Sequence, residues 1–91
     1  MRFEFDPAKS AANKEKHGID FVEAQALWDD EHRVIVEGRS AGELRFGMIG
    51  IIAAKHWTAF FTVRGVRLRL ISVRRARPSE VKKYEQEMGL R

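Results

Sequence analysis

The sequence predicts an α+β domain, on three observations. Helical patterning opens and closes the chain. A run of alternating segments separated by turn signals fills the middle. The length of 91 residues suits one domain, 1–91, with a single modest core. Phe3 and Phe5 flank Glu4 as a short alternating strand. Asp6-Pro7 then reads as an N-cap followed by proline at the first helical position. That helix runs to about His17 and stops at Gly18, with Ala8, Ala11 and Ala12 as its expected buried face. Asp20 caps a second helix, with Glu23 three residues on as in a capping box. Phe21, Ala24, Leu27 and Trp28 form its apolar stripe, and Asp29-Asp30-Glu31 ends it.

From there the period is two. Val34 and Val36 mark a strand, 38–42 a loop, 44–52 a second strand and 57–63 a third. Arg64-Gly65 signals a tight turn. The last strand, 66–74, turns Val66, Leu68 and Leu70 one way and Arg67 and Arg69 the other. Ile71 and Val73 then make its second face apolar, which places it centrally in the sheet. Pro78 starts a final helix with Val81, Tyr84 and Met88 on one stripe. The order is β-α-α-β-β-β-β-α around a central antiparallel meander packed by helices.

The charge is unevenly spread. The net is +4, yet residues 1–63 hold eight Lys/Arg against ten Asp/Glu, and residues 64–91 hold nine against three. Between Arg64 and Arg77 stand six arginines and no acid. A one-sided basic field favours a polyanion, and the planar guanidinium matches phosphate oxygens two at a time. There is no cysteine, which excludes disulfides and thiol chemistry and suits a reducing compartment. The first residues carry no apolar core of a signal peptide, and the apolar run near 48–54 is too short to span a bilayer, so a cytoplasmic protein with no membrane partner is expected.

Gly-rich phosphate loops, zinc spacings and serine nucleophile elbows are missing. His17, His32 and His56 are scattered, and the acidic 29–31 segment reads as a solvated loop, so no metal or cofactor is expected. RNA cleavage needs neither, because the ribose 2′-OH is the nucleophile. The protein supplies a base, cations for the developing phosphorane and an acid for the leaving oxygen. Each candidate has two readings. His17, at a helix C-terminus, is either a cation favoured there by the dipole or a proton donor. Tyr84 is either a core anchor or a rim hydroxyl beside the arginines. Arg74, after a buried stretch, needs a partner, either a local carboxylate or a phosphate. Glu43-x-Arg45 reads as a surface ion pair, and Ser72 as a hydroxyl bonded to backbone.

An ordered set of short motifs resembles the BrnT family of toxins from Phe5 to Tyr84. It comprises Phe5-Asp6-Pro7-x-Lys9, Asn13, Lys16-His17-Gly18, Phe21-x-x-Ala24, Glu43-x-Arg45, Gly50 and Arg64-Gly65. Arg69-x-Ile71-Ser72-x-Arg74-x-Ala76, Glu80 and Tyr84 complete it. The resemblance implies a RelE-like fold and a ribonuclease that blocks translation. It implies neutralisation by a BrnA-type antitoxin with a ribbon-helix-helix domain, and repression of operator DNA through that antitoxin. A complex of two copies each is expected, with the basic strand and last helix covered and the apolar 47–54 stretch as a second candidate. The catalytic residues expected are His17, Arg64, Arg74 and Tyr84. Lys16, Arg67, Arg69, Arg75 and Arg77 are expected to bind RNA. The alternative is a non-catalytic relative that binds antitoxin and nucleic acid. A free-standing DNA regulator is disfavoured, because no helix is basic enough for a recognition helix. Arg77 stands where the family usually has a capping Thr, which predicts a frayed start to the last helix.

Overall fold

The computed structural model describes residues 2–40 and 42–89; Ala41, inside the expected loop, lies outside them. The elements follow the expected order: β1 (Arg2–Glu4), α1 (Pro7–His17), a 3-10 helix (Glu23–Asp29), β2 (Val34–Ser40), β3 (Glu43–Ile52), β4 (Lys55–Arg64), β5 (Arg67–Arg75) and α2 (Pro78–Glu87). They build one five-stranded sheet in the order β1-β5-β4-β3-β2. β2 to β5 form the antiparallel meander, but β1 lies parallel to β5, so the sheet is mixed. β4 is the middle strand, not β5 as the two-sided apolar pattern suggested. The first hairpin is tighter than expected, because Gly38 still pairs with Arg45 and Ser40 with Glu43.

α1 and the 3-10 helix close one face. Phe21, Leu27, Met48, Leu70 and Val73 are fully buried there, each contributing about 1.5–3 kcal/mol. The expected second α-helix is a 3-10 helix. Phe21, Ala24 and Leu27 recur every third residue, so three residues per turn align them on the sheet. Its close approach requires Gly50: a Cβ there would sit 3.0 Å from Leu27 Cδ2.

α1 buries a different face from the one expected. Ala8, Ala11 and Ala12 are exposed, and Ser10 and Asn13 are buried. β1 pairs with β5 only over Arg67–Arg69, leaving the edge beyond bare. Asn13 takes the place of the missing strand there. Its Nδ2 donates to Val73 O at 2.9 Å, and its Oδ1 accepts from Val73 N at 3.1 Å. Ser10 Oγ accepts from Phe21 N, which fixes the following loop. Small polar side chains win here because an unpaired buried backbone group costs about 1–3 kcal/mol.

The pairing of β4 with β5 slips at one point. Phe61 faces Leu70 and Phe60 faces Ser72, so Ile71 is the extra residue of a bulge. The slip returns Val73 to the core side with Leu68 and Leu70. Ser72 and Arg74 join Arg67 and Arg69 on the other side. The second face of β5 is therefore polar, not apolar.

Candidate functional site

Among the described residues, that other side of the sheet is covered by α2. α2 packs over β3 and β2, burying Tyr84 against Val34 and Ile49. The rest of the face is organised by register into cross-strand rows. Nearest the β4–β5 turn, Arg64 faces Arg67, and Arg67 faces Arg2. In the next row Thr62 faces Arg69, which faces Glu4. Arg45, one step beyond the Phe46–Phe61 pair, sits on the far side of Thr62. Then come Gly47, Phe60 and Ser72, and after them Ile49, Thr58 and Arg74.

The row nearest the turn places like charges directly opposite, which is unfavourable by itself. Glu4 offsets part of this, at 3.2 Å from Arg69 and 3.6 Å from Arg67. Among the described residues, Arg45 Nε and Thr62 Oγ1 are the buried side-chain atoms without a hydrogen-bond partner. No salt bridge joins Glu43 to Arg45. This part of the face is thus cationic and electrostatically unfinished.

Under and beside α2 the polar groups are paired. Arg74 donates twice to Glu80, at 2.8 and 3.0 Å, and its guanidinium lies 4.9 Å from the Phe60 ring centre. Thr58 and the Arg77 amide also donate to Glu80. The last contact holds the first turn of α2 from its third residue, in place of the missing Thr cap. Burial opposes the charge on Glu80, but these donors, Arg74 foremost, hold its pKa down at about 2. Tyr84 donates to Asp30 at 2.6 Å, and Asp30 also accepts from the Ile51 and His32 amides. Burial, reinforced by that carboxylate, pushes Tyr84 up to about 12. Burial likewise opposes the charge on Asp30, yet Tyr84 and the two amides hold its carboxyl below the ordinary value.

The residues expected from the sequence are therefore not gathered at one point. Arg64, Arg67 and Arg69 share the open rows. Arg74 lies on the same face but is occupied by Glu80. Tyr84 is a core anchor whose hydroxyl is bound to Asp30. Lys16 and His17 end α1, which packs on the opposite face. Arg75 lies over Trp57, also on that opposite face, and Arg77 is exposed at the α2 N-cap. From Arg67 to Arg75, β5 spans roughly 25 Å, so the expected set is spread over both ends of the sheet. Arg45, Thr62 and Phe60 were missed as site candidates. Glu43-x-Arg45 carried the available signal: an arginine leading into a buried strand.

The apolar 47–54 stretch forms most of β3, an internal strand buried from Gly47 to Gly50. Among the described residues no three His, Asp or Glu side chains converge. Among the described residues no helix is long and apolar enough to cross a membrane.

No curated protein matches the chain. A family model described as the ribonuclease toxin, BrnT, of type II toxin-antitoxin systems matches residues 5–80. That span contains the Asp6 cap, the Asn13 brace, every row of the open face except Arg2 and Glu4, and the Arg74–Glu80 pair. The chain therefore belongs to the BrnT family of ribonuclease toxins.

Proposed function

We propose that the open rows bind RNA and that this chain cleaves it by attack of the ribose 2′-OH on the neighbouring phosphate, without a metal ion. One observation carries the reading. Arg64 and Arg67 are paired like charges beside a row in which Arg45 Nε and Thr62 Oγ1 are unsatisfied. A phosphodiester bound against the exposed guanidinium groups there relieves the repulsion between them. Guanidinium groups placed before the reaction stabilise the charge that grows on the phosphorane. In this reading the fold is RelE-like, and Arg74 is a positioning residue, held by Glu80 and holding Phe60 in turn. Membership of a type II toxin family implies an antitoxin. We take that partner to be a BrnA-like ribbon-helix-helix protein, in a complex of two copies each that covers the arginine rows and binds operator DNA.

A second reading, a non-catalytic member that binds antitoxin and nucleic acid, is favoured by one feature. His17 and Tyr84, the proton-transfer groups expected from the sequence, do not face these rows. A single experiment separates the two. Purified protein is incubated with RNA and with DNA of the same sequence in EDTA. RNA cleavage leaving 2′,3′-cyclic or 3′-phosphate ends, with DNA intact, supports the ribonuclease. Folded protein that binds RNA without cutting it supports the second reading. Cleavage only after magnesium is restored overturns the metal-free mechanism.

A further inference from the structure

Between the open rows and α2 lies a recess of about 270 Å³, lined by Val36, Glu37, Gly38, Arg45, Gly47 and Phe60 among others. It exists because residue 47 is glycine. Val36, Gly47 and Phe60 are registered across three strands. A Cβ on Gly47 would meet Val36 Cγ2 at 3.1 Å and Phe60 Cε1 at 3.6 Å, so any side chain there fills the floor. Phe60 forms a wall and is itself fixed. The Arg74 guanidinium lies 4.9 Å from its ring centre and is locked to Glu80. Arg45 leads from the recess to the unsatisfied row, where Thr62 and Arg69 stand beside it. Successive residues on one strand face are roughly 7 Å apart, so aromatic wall and cationic row are separated by about the reach from a base to its own phosphate.

We infer that this recess is a nucleobase subsite, with one RNA base against Phe60 over Gly47 and its phosphate on the guanidinium groups of Arg45 and Arg69. The inference rests on the RNA-binding reading above and adds the position at which the chain holds one unstacked base. A mainly apolar recess with a fixed aromatic ring and an arginine at one end fits an unstacked base of single-stranded RNA. An arginine at the end of the recess suits a phosphate better than an apolar side chain of a protein partner.

The test uses the intact chain and short single-stranded RNAs carrying a 2′-deoxy sugar at the mapped cleavage position. A lone abasic position is moved along the oligonucleotide in turn. One position should lower affinity about 5- to 150-fold, the usual range for loss of a single base stack. Phe60→Leu should lower affinity for the intact RNA by a similar factor and erase the abasic effect at that position. Gly47→Ala, which fills the floor from the neighbouring strand, should do the same. Arg45→Gln should weaken all sequences alike and flatten the salt dependence by about one phosphate contact. If every abasic position is tolerated equally, the subsite is overturned while RNA binding stands, and the same holds if folded Phe60→Leu keeps full affinity and the abasic effect. If the wild-type chain binds no RNA, the functional reading itself fails, and the subsite with it.

Discussion

One face of this sheet has two halves that differ in how their polar groups are used. Under and beside α2, Arg74, Glu80, Thr58, Tyr84 and Asp30 are joined by short hydrogen bonds. Outside α2, Arg64 is set against Arg67, and Arg45 Nε and Thr62 Oγ1 have no partner among the described residues. Both halves carry residue types suited to phosphodiester chemistry, but only one leaves them available. A tyrosine or arginine that has found its partner inside the fold is spent on stability. Affinity for an outside anion resides where the fold leaves charge unmatched.

The largest expected effect is on activity, in the open half. Arg69→Ala should lower RNA cleavage by about 100- to 1,000-fold, the usual loss when one charge that stabilises an oxyanion is removed. Its pair with Glu4 is partly exposed and worth under about 1 kcal/mol, so the melting temperature should barely move. In the covered half the signs reverse. Arg74→Ala strands a largely buried Glu80 and should cost about 2–4 kcal/mol of stability. Tyr84→Phe removes a donor from Asp30 and should cost about 1–3 kcal/mol. Melting and single-turnover cleavage, measured on the same preparations, check all three. A fully stable Arg74→Ala protein with no activity would break the comparison and return Arg74 to direct catalysis.

This division was only partly legible in the sequence. Local signals were reliable where one segment contains both partners. Asp6 does accept from Ala8 N, and Asp20 and Glu23 do form the reciprocal box. Order and approximate bounds of the strands followed from period and turn residues. What escaped depends on residues distant in sequence. Tyr84 meets Asp30 across 54 positions and Asn13 meets Val73 across 60, and periodicity carries no information about either. The bulge at Ile71 escaped for a related reason. It arises from the pairing of two strands, and one strand read alone shows only a run of apolar residues. That single slip decides which face Arg74 occupies. The site was therefore foreseen as a population of arginines but not as rows.

A pH experiment sharpens the same contrast. Glu80 has a native pKa of about 2, below the ordinary 4.5. Its stabilisation is therefore complete above pH 4.5 and is lost as the pH falls toward 2. The full difference is on the order of 3 kcal/mol. Denaturant midpoints measured from pH 6 down to 2.5 should fall for the wild type. Glu80→Gln should start lower at pH 6 and show a shallower fall. Parallel curves for the two proteins would show that the carboxylate is not what ties α2 to the sheet.

The smallest effect tests the open half by its cost. Arg64 and Arg67 face each other at the end of the β4–β5 hairpin, and like charges in that position repel. Arg64 has no ion-pair partner among the described residues. Arg64→Gln should therefore stabilise the free protein by about 0.2–1 kcal/mol, most clearly at low salt, where screening is weak. The same change removes a cation from the rows proposed to bind RNA, so affinity for RNA should fall as stability rises. Opposite signs from one substitution are the mark of a charge retained for a ligand and not for the fold. If Arg64→Gln instead loses stability at every ionic strength, the arginine is bound within the protein, and the row nearest the turn is not the unfinished surface its register indicates.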